Sequence, residues 1–332
     1  MIRIVNRADG SLFRNSLILS FLSWCGLLLS GLVTDVYASR DYSLKAPLAE
    51  RSLLLAGCAI DDMIVAVGER GHILISHDNG SSWHQADVPT QATLTGVFFH
   101  DKERGWAVGH DAIILRTRNG GETWERVYYR PQEETPLLDV LFVDAQKGFA
   151  VGAYGLFLAT DDGGDAWESR SIGNDDFHLN AVVRSGNGSL FIAAESGMIY
   201  RSDDGGETWV ELESPYRGSF FGALPLAGDS VLILGLRGHL LRSDDKGENW
   251  EPVETGTEAM LTGGVFSDEG TIVVGGLEGT LLISSDGGRS FTHEPQPDRK
   301  GIGSVVQAKD GAIIVIGECG VKRIEIQALL PD

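Results

Sequence analysis

One eight-residue pattern, repeated six times, limits what this chain can fold into. It reads small hydroxyl, any residue, Asp, any residue, Gly, two further residues, aromatic, and it occupies 76–83, 117–124, 160–167, 202–209, 243–250 and 284–291. Successive copies start 41, 43, 42, 41 and 41 residues apart, a period that marks a repeat protein. The third position is Asp78, Asp162, Asp204, Asp245 or Asp286, with Asn119 in the remaining copy. The last position is Trp83, Trp124, Trp167, Trp209, Trp250 or Phe291. Asp or Asn there can accept bonds from backbone N–H groups further on, and the glycine at the fifth position supplies a positive φ. Each box is therefore expected to be a tight structural turn between two strands, its aromatic filling the space between neighbouring repeat units. The run 202–206 also clusters oxygen atoms like a calcium loop. The further ligands and the bidentate Glu of such a loop are missing, so no metal is expected.

Around each box the sequence reads as short strands. Apolar, β-branched runs bounded by Gly and Asp recur at 53–60, 94–99, 137–143, 179–183, 220–226, 261–266 and 302–306, each followed by a second run, a short turn and a third. No helical period appears beyond the N-terminal segment. Four short antiparallel strands in about 42 residues make a propeller blade. The segment from 39 to 332 divides into seven such units, six with boxes and a boxless seventh at 302–327. The expectation is an all-β, seven-bladed β-propeller with four-stranded blades. The segment 41–47 would supply the fourth strand of the last blade and close the ring without an open edge.

The N-terminus reads differently. Arg3, Arg7 and Arg14 precede an apolar run over 17–33, followed by Val36-Tyr37-Ala38. That is a basic region, an apolar region and a small-x-small site, expected to be a signal peptide over 1–38, with a retained anchor as the alternative. A lipoprotein reading fails at Cys25, because Trp24 stands where a small residue is wanted. In an exported chain Cys58 and Cys319, in the first and last repeats, are candidates for a disulfide across the ring closure. The net charge of −20 argues against nucleic acid and anionic membrane surfaces as partners. No P-loop, CxxC, HExxH or GxSxG occurs, and no cofactor is expected.

The turn from second to third strand has the form Val-Gly-x-x-Gly. Seven such turns would share one face, away from the boxes, around a central opening. Their variable residues include Glu69, Arg70, His110, Asp111, Tyr154, Glu195, Arg237, Glu278 and Glu318, the candidates for a binding mouth. A catalytic alternative takes Tyr154 with Glu195, or the carboxylates Glu69, Glu278 and Glu318, as a glycosidase set. Only Arg70 and Arg237 stand at the mouth as arginines, too few for the arginine triad of a sialidase.

The boxes, with Gly105-Trp106-Ala107-Val108-Gly109 and Gly148-Phe149-Ala150-Val151-Gly152 about ten residues before two of them, resemble the photosystem II stability/assembly factor-like propellers. That family lies within the wider group with BNR or Asp-box repeats, and the resemblance covers about 41–327. In oxygenic phototrophs it implies a lumenal assembly chaperone that holds a membrane-protein intermediate through an arginine-rich patch. Here the chain is acidic, and Arg104, Arg116, Arg118, Arg126 and Arg130 are scattered over the second blade and its connections. The resemblance is therefore to the non-photosynthetic bacterial type. It implies a periplasmic, non-enzymatic accessory factor, monomeric on its own, for an envelope membrane-protein complex, by analogy an RND-type exporter. The alternatives are a carbohydrate-active enzyme and a lectin-like glycan binder.

Overall fold

A computed structural model describes residues 41–173 and 175–328; the expected signal peptide, with Cys25, lies outside the described residues. In the first blade β1 (Leu54–Ile60), β2 (Met63–Gly68), β3 (Ile73–Ser76) and β4 (His84–Gln85) pair antiparallel in chain order. Five further blades repeat that order with four strands each. The seventh is built from Ile302–Gln307, Ile313–Gly317 and Gly320–Ile324. This is the seven-bladed propeller that the repeat arithmetic predicts.

The second strand of each blade is apolar on both sides because a neighbouring blade covers each face; β2 is buried along its whole length. The box aromatics complete these interblade layers. Trp124 packs with the core between blades one and two and meets Phe99 edge-on at 6.0 Å. Trp167 does the same against Phe142 at 5.8 Å, and Trp209 against Phe157 at 5.7 Å. Trp83, Trp250 and Phe291 join the corresponding layers of their own blades. Blade seven has no box, and buried Ile326 takes the aromatic's place against Ile283 and Val315.

Each box is held as expected. Ser76 Oγ donates to Asp78 Oδ1 at 2.8 Å and accepts from Gly80 N at 2.9 Å, while Asp78 accepts from Ser82 N and Ser82 Oγ at 2.8 and 2.6 Å. These donors, led by the Ser82 hydroxyl, pull the Asp78 carboxyl down to about 2. The equivalent donors lower Asp162, Asp204, Asp245 and Asp286. Asn119 reproduces the arrangement with its carbonyl, accepting from Thr123 N at 3.1 Å.

A second device joins the blades and was not foreseen. Arg116 reaches across to the next blade's box and donates to Gly163 O at 3.1 Å, the fourth position of that box. Arg201 reaches Lys246 O at 2.8 Å, Arg242 reaches Gly287 O, and Arg323 of blade seven reaches Asn79 O at 3.3 Å. Four of the seven interfaces, including the one that closes the ring, thus carry an arginine staple on the fourth-position carbonyl. Its signal in the sequence is Arg directly before the box hydroxyl at Arg116, Arg201 and Arg242.

Closure differs from the expectation in one respect. The segment 41–47 forms no strand, and blade seven remains three-stranded. Ser43 N instead donates to Val88 O at 2.9 Å, and Ala46 N to Gln85 Oε1 at 2.9 Å, both in the first blade. Gln85 also donates to Leu44 O at 3.0 Å. Gln85 at the outer edge of blade one, with Val88 O, Arg70 O and Asp87, holds the segment, while Pro47 brings no N–H for a sheet ladder. Lys322 and Arg323 put charge on the last strand of blade seven, which discourages edge pairing.

Candidate functional site

The inner strands surround a central cavity of about 960 Å³. All seven share one irregularity, a register shift between the first and third residues, as at Leu54/Ala56, Leu94/Gly96 and Leu137/Asp139. Such a bulge leaves the second residue out of the ladder and turns it aside. Those seven residues, Leu55, Thr95, Leu138, Asn180, Phe221, Thr262 and Gly303, all line the cavity and form a collar beneath the mouth. Thr95 donates to Leu137 O, Asn180 to Phe220 O and Thr262 to Ile302 O, each at 2.7 Å and each across a blade boundary. In blade three Asp139 does the linking, accepting from Val182 N at 2.9 Å. Its burial outweighs these donors and pushes its carboxyl up to about 6. The collar was invisible in the sequence because bulge positions carry no residue signature.

The mouth turns are two-residue reversals with left-handed backbone. Arg70, Asp111, Tyr154, Ser196, Arg237 and Glu278 take φ between 55° and 61°, and His72 N closes the first turn on Glu69 O at 3.0 Å. The second turn position is glycine except in blade two, where Ala112 takes φ 47°, and Ala194 replaces the first glycine in blade four. The Gly-x-x-Gly frame therefore holds in five blades, and the full Val-Gly-x-x-Gly form only in blades one and three. In blade seven the turn is one residue shorter, with Gly317 paired directly to Gly320.

These turns bring the predicted mouth residues to one face, with unequal roles. Glu69 Oε1 accepts from Leu53 N at 3.3 Å, and Glu195 Oε2 from His178 N at 3.2 Å, so both hold the entrance to an inner strand. Glu278 pairs with Arg299 at 2.7 Å and Glu318 with Lys300 at 3.7 Å. Tyr154 stands 63% exposed and meets the His178 ring edge-on at 5.0 Å. Among the described residues Tyr154, Glu195, Glu278 and Glu318 make no hydrogen bond to one another. His110, Arg70 and Arg237 are exposed, and Asp111 is half-buried. Around them Leu48, Leu53, Leu236 and Leu277 are also exposed, an apolar component of the face.

The expected disulfide is not formed, and Cys58 and Cys319 are free. Cys319 sits in the mouth hairpin of blade seven, whereas Cys58 lies four residues down β1, opposite Val65. At about 3.3 Å per residue that separates them by roughly 13 Å along the strand, beyond the reach of a bridge. Burial pushes the Cys58 thiol up to about 11.

Residues 75–136 and 130–257, more than half of the chain, match the model of a family described as photosynthesis system II assembly factor YCF48. The chain belongs to that family. A curated member, the photosystem II assembly protein Ycf48 of Thermosynechococcus vestitus, is 36% identical over 138 residues, covering 39% of this chain and 38% of that protein. The photosystem II assembly lipoprotein Ycf48 of Prochlorococcus marinus is 41% identical over 139 residues, 41% of this chain and 40% of its own. The chain thus matches less than half the length of these relatives. Among solved structures, YCF48 bound to a D1 peptide superposes with a TM-score of 0.68 at 17% identity, over 86% of this chain and 94% of that one. At that identity the likeness shows the fold alone.

Proposed function

We propose that this chain is an exported, non-catalytic scaffold that holds part of a membrane protein on its mouth face during assembly of an envelope complex. The observation that carries the reading is the mouth itself. Exposed Tyr154, Leu48, Leu53, Leu236 and Leu277 stand among charged turn residues on one face, the mixture of aromatic and aliphatic anchors with a polar surround that protein contacts use. Family membership supports the reading, since the curated relatives are assembly proteins and one family structure holds a D1 peptide. The carboxylates of the rival glycosidase set are occupied by backbone amides and by neighbouring cations, which supports binding over turnover. The client we propose is a bacterial membrane-protein complex, and an RND-type exporter is the specific candidate.

Affinity purification of the C-terminally tagged chain from gently solubilised envelopes tests this. One membrane complex should be enriched by the wild type and lost when Tyr154, Leu236 and Leu277 are changed together to Ala. A box-face variant, Arg118→Ala, should retain it. Enrichment unaffected by the mouth triple, or turnover of fluorogenic glycosides abolished by Glu195→Gln, would overturn the proposal.

A further inference from the structure

On the face opposite the mouth, two neighbouring boxes bring together three side chains that neither the fold nor the mouth uses. His77 is the second residue of the first box, His84 follows its tryptophan, and Glu122 is the sixth residue of the second box. One ligand atom from each lies within 4.8 Å of the other two. His84 Nε2 is 3.6 Å and His77 Nε2 3.9 Å from the same Glu122 oxygen, and the two imidazoles stack at 5.6 Å. These separations are too long for hydrogen bonds. They suit the edges of a coordination shell, since metal–ligand bonds of about 2.0–2.2 Å in tetrahedral geometry set ligand atoms about 3.3–3.5 Å apart. The two edges to Glu122 close with shifts of a few tenths of an ångström, the third edge lies within 4.8 Å, and all three side chains are exposed.

From this geometry we propose a divalent d-block cation site at His77, His84 and Glu122, of the Zn²⁺ class. Two imidazoles and one carboxylate select such a metal over Mg²⁺ or Ca²⁺, which prefer oxygen donors throughout. Three protein ligands leave one position of a tetrahedron for water. The site spans a blade boundary, because both histidines belong to blade one and Glu122 to blade two. A bound ion therefore links the two blades on the box face, where the staple of Arg116 links blades two and three. Nearby Arg118 does not compete for the cluster, being engaged by Asp165 at 3.1 Å.

The test is a calorimetric titration of the chelator-treated full chain with ZnCl₂, together with the visible spectrum of the Co²⁺ form. One equivalent should bind, and His77→Ala, His84→Ala and Glu122→Gln should each weaken binding about ten-fold or more, given that changes to outer-shell partners alone cost 10–100-fold. The Co²⁺ band should disappear in the same variants, and Zn²⁺ should raise the melting temperature of the wild type but not of these variants. Glu103→Gln, a neighbouring carboxylate outside the cluster, should bind as the wild type does. No stoichiometric binding, or binding that the histidine variants leave unchanged, would overturn the proposal and assign any uptake to the general acidity of the surface.

Discussion

Arg116→Met gives a sharp test of how the blades are joined. The Arg116 side chain is only 7% exposed and holds Gly163 O at 3.1 Å, Asp165 Oδ1 at 2.7 Å and Glu125 Oε1 at 2.9 Å. Asp165 and Glu125 are 61% and 55% exposed, so each returns to water when the arginine leaves, and neither becomes a buried unpaired charge. The full penalty of a broken buried ion pair, about 3–5 kcal/mol, therefore does not apply. What is lost is one charge-assisted bond to a carbonyl, about 1.5–3 kcal/mol, partly offset by methionine filling the apolar part of the space. A net loss of about 2 kcal/mol in a folded domain of about 290 residues corresponds to a melting temperature lower by about 3 °C, at roughly 2.1 cal/mol/K of unfolding entropy per residue. Arg118 is the matched control. It binds the same two carboxylates but is 60% exposed and reaches no carbonyl of the next box, so Arg118→Met should cost under about 0.5 kcal/mol. Scanning calorimetry of the two variants decides the matter. Equal shifts would show that the carbonyl contact contributes nothing and that the staple is only a surface ion pair.

Three other outcomes follow from the same geometry. The box carboxylates are held below their unfolded value, so their stabilisation is complete above about pH 4 and is lost as pH falls towards about 2; Asp204→Asn, which copies the natural Asn119, should lower the melting temperature at pH 7 and narrow the gap to wild type as the pH falls to 3. Alkylation at pH 8 followed by peptide mapping should modify exposed Cys319 faster than half-buried Cys58, whose thiol is held protonated; equal labelling in the native state would refute that placement. Tyr154 occupies a left-handed turn position at φ 55°, so Tyr154→Asn should raise stability by about 0.5–1 kcal/mol in a urea melt, while lowering client recovery if the mouth binds as proposed.

The regular part of this molecule was legible because every blade repeats the same local chemistry. The box, its aromatic and the inner-strand run each announce themselves within about 42 residues, and the predicted inner strand at 94–99 matches the observed Leu94–Phe99. What escaped was whatever depends on a neighbour. Arg116 looks like a scattered surface charge until the next box is placed beside it. His77, His84 and Glu122 belong to two boxes and carry no motif as a string. The segment 41–47 has strand-like composition, but composition does not choose between two edges, and the bonds to Gln85, Val88 and Arg70 did. The disulfide was inferred from blade order alone, which brings two repeats together without fixing the height of a residue along its strand. The mouth was foreseen as a location, with Leu236 and Leu277 in its turns, whereas exposed Leu48 and Leu53 lie in the segment before the first inner strand and gave no signal.

The three-stranded last blade has an implication for how such a ring can be rearranged. Every blade here is one uninterrupted stretch of chain, and no sheet is shared between the two ends of the described residues. The seam between blades seven and one is of the same kind as the others: a packed layer, plus Arg323 on Asn79 O. Circular permutants with new termini opened at another blade boundary therefore need break no sheet. Duplication or deletion of one 42-residue unit likewise removes or adds a whole blade. The ring is modular at the level of the gene.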